Sequence, residues 1–256
     1  MLTETNKTIA LAALLLGLGL AIPLLLIFLL IGVPWWLAPI VGVGVGLGIV
    51  IMRLRRADRF VLSKLGATLT DPDDVPRFSN LLEGLALRSG LQEPDIYVIE
   101  DSAPNAASVM ADDRTSVVIT RGLLDTLNRV ELEGLVAELL VRLKSGDAKA
   151  ATVGAALFGM PLLDSPLTSF TKPIAAKAIG RLVAADRDIE ADMAAVALTR
   201  YPPGLQSALI RISAAPSNPA VATAGGQHLW LISDTSSNTV IPYSPLDWRI
   251  EVLTEL

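Results

Sequence analysis

Residues Glu131 to Asp147 read ELEGLVAELLVRLKSGD. Apolar side chains recur along this stretch at helical spacing, at Leu132, Leu135, Val136, Leu139, Leu140 and Leu143. Asn128 precedes Glu131 by the spacing of a capping box, and Gly146 is a residue type that commonly ends helices. The stretch therefore predicts one helix with an apolar face.

The composition limits the chemistry open to this chain. The 256 residues contain no cysteine, so neither a disulfide framework nor a thiolate metal site can form. His228 is the single histidine, which excludes any zinc site that needs two imidazoles from this chain. The net charge of -5, without a basic stripe, gives no sign of nucleic-acid binding.

The N-terminal part has the composition of a membrane hairpin. No charged residue occurs from Thr8 to Val33 or from Pro34 to Met52, and each run is close to the roughly 20 residues of a transmembrane helix. Residues 1–56 are therefore predicted to form a transmembrane hairpin, and residues 57–256 a separate domain. Two small-xxx-small pairings favour close packing of the second helix on the first, at Gly42, Gly44, Gly46 and Gly48.

Arginines directly after the second run predict the orientation in the cell membrane. They are Arg53, Arg55, Arg56 and Arg59. Because basic residues are retained on the cytoplasmic side, we expect both termini and the main domain of this multi-pass protein to be cytoplasmic.

The rest of the chain alternates between helical and strand patterns, which predicts an α+β domain. The predicted helices are Val75 to Ser89, Glu131 to Asp147, Ala175 to Arg200, Leu205 to Ser213 and Asp247 to Leu256, and the predicted strands are Asp95 to Glu100, Ser108 to Ala111, Ser116 to Thr120 and His228 to Ser233. The middle two strands are expected to form a hairpin. Ala150 to Leu163 is too short to span a membrane and is predicted to be buried or interfacial. Ser213 to Gly226 is predicted to be an extended loop.

The order of these pieces resembles the HtpX-like branch of the membrane zinc metallopeptidases, which is related to the CAAX prenyl proteases. The similarity covers roughly Arg59 to Leu256, and it includes Asn105-Ala106, Thr120 to Leu124, Arg187 to Asp192, and His228 to Trp230. The stretch ELEGLVAELLVRLKSGD matches the family pattern E-L-E-G-V-x-A-H-E-L-A-H-I-x-N-x-D at both flanks. This resemblance implies a zincin-like domain, mostly helical with a small sheet.

The chemical centre of the family pattern is replaced. Where the family has H-E-x-x-H, two histidines that hold zinc and a glutamate that polarises water, this chain has Glu138, Leu139 and, at the last position, Arg142. The third zinc ligand of the family, a glutamate, corresponds to Asp188. Catalytic and metal-binding residues are therefore expected to be absent, and zinc is not expected as a cofactor.

We interpret the replaced positions as an ion-pair network that fills the former cleft, formed by Glu138, Arg142, Asp188 and Asp192. Two other interpretations remain open from the sequence. Glu138 and Arg142 stand at i and i+4 and would make an ordinary pair on a solvated helix face. Asp188, Asp192 and Glu138 would alternatively make an oxygen site for Mg²⁺ or Ca²⁺.

These features predict a membrane pseudopeptidase that binds a protein client or partner. An extended peptide can add to a sheet edge through backbone hydrogen bonds alone, and this mode does not need catalysis. The predicted edge comprises Ser108, Val109, Val117 and Val118. The alternatives are an active membrane metalloendopeptidase with a non-standard ligand set and a structural subunit of a membrane complex.

Overall fold

The structure, a computed structural model, describes residues 2–164, 168–184, 186–215, 223–232 and 244–256. Its helices are α1 (Leu2–Leu30), α2 (Ala38–Arg55), α3 (Ala57–Lys64), α4 (Pro76–Ser89), α5 (Arg121–Thr126), α6 (Arg129–Ser145), α7 (Asp147–Gly154), α8 (Met160–Leu163), α9 (Thr168–Leu182), α10 (Arg187–Thr199), α11 (Pro202–Ser213) and α12 (Leu246–Thr254). Its strands are β1 (Thr68–Leu69), β2 (Asp95–Ile99), β3 (Ala106–Ala111) and β4 (Arg114–Thr120). The predicted α+β class, mostly helical with a small sheet after two apolar helices, is confirmed.

Helices α1 and α2 form the predicted apolar hairpin. Both are long and apolar enough to cross a membrane, by length and composition. They pack through one of the two glycine pairs: a Cβ at Gly46 would lie 2.6 Å from the Gly17 carbonyl oxygen, and one at Gly42 would lie 3.2 Å from that of Ala21. Added Cβ atoms at Gly44 and Gly48 would meet nothing within 4 Å. One small-residue face is therefore used inside the hairpin and the other is open.

The strands form a sheet in the order β1-β2-β4-β3 within the described residues. Strand β2 is parallel to β4, and β3 and β4 make the predicted antiparallel hairpin, with Ser108 opposite Val117. Successive residues of a strand point to opposite faces. Accordingly, Val117 and Ile119 join one apolar cluster, whereas Val118 joins another.

The two clusters put different parts of the chain on the two faces of the sheet. One contains α4, α6, α11 and α12, and α6 contributes its leucines from Leu132 to Leu143. The other contains α3, α7, α9 and the base of the hairpin, including Ile9 and Val50. The sheet is therefore the layer between the predicted site helix α6 and the apolar hairpin.

Helix α6 has the ends that its sequence predicts. The Asn128 side chain accepts hydrogen bonds from the backbone amides of Val130 and Glu131, and the Glu131 side chain accepts one from the Asn128 amide. Gly146 ends the helix at a φ of 91°, a left-handed conformation that glycine adopts without strain.

Two sequence predictions are wrong. Ala175 to Arg200 is not one helix, because α9 ends at Leu182 and α10 begins at Arg187. The break lets α9 pack beside α1 and α7 while α10 packs on α6. His228 to Ser233 is not a strand: His228 lies in a 3₁₀ turn, Gln227–Leu229, and Trp230 makes an isolated bridge with Ala107.

Some predicted segments lie partly outside the described residues, and some elements were not predicted. Ser233 and residues 216–222 of the predicted loop lie outside the described residues. Ala150 to Leu163 is buried, through α7, a π-helical turn (Ala155–Gly159) and α8. The sequence analysis missed α3, α5 and β1.

Close approach between α6 and α11 makes Gly134 sensitive to substitution. A Cβ there would lie 2.6 Å from the Leu205 amide nitrogen, which is backbone and cannot turn aside. We expect Gly134→Ala to lower the free energy of unfolding by about 1–3 kcal/mol through overpacking. Gly84→Ala in α4, where the added Cβ meets nothing within 4 Å, should instead raise it by about 0.4–1 kcal/mol. Denaturant unfolding of both variants in detergent tests this, and equal effects would contradict the close approach.

Candidate functional site

The centre of α6 carries two buried charges on one face. Glu138 is fully buried and Arg142 is 5% exposed, so they do not form a solvated pair. Arg142 donates to Glu138 Oε1 through Nη2 at 2.5 Å and through Nε at 3.1 Å. Leu139, between them, belongs to the apolar core, and its carbonyl accepts a hydrogen bond of 2.9 Å from the Ser108 hydroxyl.

Helix α10 brings two carboxylates to this face. Asp188 Oδ1 accepts a bond of 2.9 Å from Arg142 Nη2, and Arg187 Nε lies 3.5 Å from the same oxygen. Asp192, one helical turn later, does not contact Arg142 but pairs with a third helix. Both aspartates are at most 2% exposed.

The third helix is α12, and its contribution is Arg249. This guanidinium makes a bidentate pair with Asp192, at 2.7 Å to each carboxylate oxygen. Its Nη2 also donates to Glu138 Oε1 at 2.9 Å, and its Nη1 donates to the Leu231 carbonyl at 3.0 Å. Sequence analysis gave Arg249 no role, because nothing in the sequence shows that α12 folds against α6 and α10.

We call these six residues the charge network: Glu138, Arg142, Arg187, Asp188, Asp192 and Arg249. Three carboxylates and three guanidiniums balance when all are ionised, and each residue is at most 5% exposed. The network joins α6, α10 and α12. Among the residues that the structure describes, Glu138 Oε2 is buried and has no hydrogen-bond partner.

Burial and ion pairing shift the acidities in opposite directions. Complete burial raises the pKa of Glu138 to about 7, although the guanidiniums of Arg249 and Arg142 act to lower it. Burial alone would also raise the pKa of Asp188, but Arg142, Arg187 and Arg249 outweigh it and hold that pKa below its usual value. Glu138 is therefore more easily protonated than Asp188.

His228 lies beside the network and is neutral. Burial, with help from the Arg187 charge, lowers the pKa of its imidazole to about 3. Its Nε2 lies 2.9 Å from the Ala151 carbonyl, which can only accept, so Nε2 carries the hydrogen. Nδ1 is buried and has no partner within the described part of the chain, and the His228 carbonyl accepts a hydrogen bond from Arg187 at 2.6 Å. The histidine thus ties α7 to α10.

Known relatives share most of the chain. It is 28% identical over 229 residues to a protease HtpX homolog of Dictyoglomus turgidum, covering 78% of this chain and 75% of the relative. A protease HtpX homolog of Listeria monocytogenes is 27% identical over 290 residues, covering 93% and 94% of the two chains. These similarities support assignment to the HtpX-like family. No family model matches the chain, and no solved structure matches it.

The zinc that the HtpX-like resemblance implies does not fit the residues present. The network offers no imidazole, and within the described residues no group of three or more metal-ligating side chains is placed to hold a metal ion. Asp188, Asp192 and one oxygen of Glu138 already accept hydrogen bonds from guanidiniums, whose charge repels a cation. The same engagement argues against the Mg²⁺ or Ca²⁺ site considered from the sequence.

There is little free space beside the charge network. The cavity lined by Ser108, Arg142, Arg187 and Leu229 holds about 10 Å³, roughly the least that admits one water molecule. Side chains therefore leave little room beside Arg142 and Arg187.

The predicted peptide-binding edge is only partly an edge. Strand β3, with Ser108 and Val109, lies at the end of the sheet, whereas Val117 and Val118 lie on the inner strand β4. All four residues are at most 3% exposed. The free side of β3 is already covered: the Leu231 amide donates to the Ala106 carbonyl at 2.8 Å, and the Met110 amide donates to the Thr152 hydroxyl at 3.0 Å.

Loss of one carboxylate should destabilise this HtpX-like fold strongly. Glu138→Ala leaves two buried guanidiniums short of a counter-charge, and breaking a buried pair in this way costs about 3–5 kcal/mol. Glu100→Ala removes the exposed pair with Arg121 and should cost about 1 kcal/mol or less. Denaturant unfolding at pH 8 gives both values. Similar small losses would show that the network is not closed in solution.

The raised pKa of Glu138 also predicts a pH dependence. The folded chain holds this proton more tightly than the unfolded chain, so the group's contribution to stability is complete below about pH 4.5 and is lost as pH rises through about 7. Glu138→Gln cannot titrate, so wild type should lose stability relative to this variant between pH 5 and pH 8. His228 titrates in both proteins and cancels in the comparison. An unchanged stability difference between the two proteins over this range would mean that the arginines keep Glu138 ionised.

Proposed function

We propose that the protein is a catalytically inactive HtpX-like membrane pseudopeptidase that holds a protein client or partner near the membrane. The observation that carries the proposal is the charge network, which occupies the positions where the family resemblance would put zinc and its ligands. A network that is balanced, buried and nearly without space offers neither a Lewis acid nor an exposed base.

The individual residues support inactivity. Hydrolysis needs a group that activates water, and Leu139 at the position of the family glutamate cannot accept a proton. Glu138 is in contact with Arg142 and Arg249, so its charge is already compensated. The Nε2 atom of His228 is engaged with a carbonyl.

The family and the two apolar helices indicate a membrane protein, and the arginines after α2 support a cytoplasmic main domain. Arg55, Arg56 and Arg59 are exposed, as headgroup-binding side chains would be. Arg53 instead lies over the Phe60 ring at 4.0 Å, which links α2 to α3.

Client binding at β3 would require movement of the segment that covers it. Residues 227–232 contact the outer side of β3 at Ala106 and Ala107 through backbone atoms. An extended client strand would make the same type of hydrogen bonds. We propose that a client strand displaces residues 227–232 from β3.

A structural subunit of a larger membrane complex is the second candidate function. It is favoured by the open face of α2 at Gly44 and Gly48, because paired small residues let transmembrane helices approach closely. Ala150 to Leu163, the other segment that would suit a subunit interface, is instead buried against α3, α9 and β3 of the same chain.

Measurements of zinc content and casein cleavage test whether the protein is catalytically inactive. Purified full-length protein in detergent should contain far less than one zinc per chain and should leave casein intact with or without added zinc, while thermolysin in the same buffer cleaves it. Stoichiometric zinc together with chelator-sensitive cleavage would instead establish an active metalloendopeptidase with a non-standard ligand set.

Site-specific photo-crosslinking in cells tests the binding half. Met110 is the one residue of β3 that is not buried, so a photoreactive amino acid there should give a discrete adduct with a client. The same amino acid at Leu87, which is 81% exposed on α4, is the control and should give none. No adduct from Met110, or the same adduct from both positions, would count against binding at β3.

A further inference from the structure

An apolar groove runs between the hairpin and the main domain. It has a volume of about 340 Å³ and lies between one face of α1, Phe158 of the π-helical turn, and α9. Thr8 and Gly19 both line it, so at 1.5 Å per residue it follows roughly 16 Å of α1. That length is about half of the roughly 30 Å hydrocarbon core of a bilayer, or one leaflet.

The walls of the groove are suited to a hydrocarbon chain. Leu11 and Leu15 of α1 are each 57% exposed, and Ile174 of α9 is 63% exposed. These side chains belong to, or lie directly beside, a helix with the length and composition of a membrane span. What fills the groove is therefore drawn from the bilayer rather than from water.

Two basic side chains of α9 lie at the groove. Among the lining residues Arg181 is the one with a charge, and Lys177 precedes it by one helical turn on α9. Both side chains are exposed, and neither has a salt bridge within the residues that the structure describes. An arginine beside apolar, membrane-level side chains is costly unless an anion accompanies it.

We propose that this groove binds an anionic phospholipid, with one acyl chain along α1 and the phosphate on Arg181 and Lys177. Contact with bulk lipid alone would need neither a concave wall nor paired cations. Charge complementarity with a lipid phosphate and continuity of the groove with a membrane span both point to this occupant. The site is separate from the charge network and does not depend on whether the protein is catalytic.

Lipid competition on the full-length protein tests the proposal. Delipidated protein in detergent is mixed with equal amounts of dioleoyl phosphatidylglycerol and dioleoyl phosphatidylcholine, and the bound lipids are measured by native mass spectrometry. We expect one phosphatidylglycerol to be retained in preference to phosphatidylcholine, and inorganic phosphate not to displace it. Equal retention of the two lipids, or displacement by phosphate alone, would overturn the proposal.

Charge variants then locate the site. Lys177→Gln with Arg181→Gln should lower the preference for phosphatidylglycerol by roughly 25-fold, about 5-fold for each cation. Arg181→Lys should retain the preference, because it keeps the charge. Arg129→Gln, an exposed position at the start of α6, is the matched control and should have no effect. An unchanged preference in the double variant, or an equal loss in the control, would show that the anion is not held at this groove.

Discussion

The contact between Glu138 and Arg249 is the interaction on which the arrangement of α6, α10 and α12 depends. Arg249 Nη2 reaches Glu138 at 2.9 Å while the same guanidinium holds Asp192, and Arg142 connects Glu138 to Asp188. Ion pairs of this kind contribute little net stability compared with apolar packing, but an incomplete set is costly. The network therefore specifies how the three helices meet, and we expect the loss of any one member to be costly.

The sheet connects these three helices to the base of the hairpin. Val117 and Val118 are neighbours in β4, yet the first packs into the cluster of α6 and the second into the cluster of α3, α7 and the hairpin base. The Ser108 hydroxyl fixes β3 to the Leu139 carbonyl in the middle of α6. A shift of α6 would therefore be transmitted through the sheet to the base of the hairpin.

Local patterns predicted much of this fold from the sequence. The capping box at Asn128 and Glu131, the glycine at 146 and the β3–β4 hairpin are set by residues close together in the chain, so their geometry could be inferred. The break between α9 and α10 could not, because both segments are rich in alanine and only their different packing partners separate them. Glu138, Arg142, Asp188 and Asp192 were predicted as a group, whereas the pairing of Asp192 with Arg249 depends on tertiary contacts over a long sequence separation.

The distance along the chain between the members of the network sets an order for their assembly. Arg249 is synthesised 111 residues after Glu138. Until α12 is synthesised, Glu138 and Asp192 lack the guanidinium that they share in the folded chain. We therefore expect the interior between α6 and α10 to close fully only once α12 is in place, because a buried carboxylate without its partner is costly.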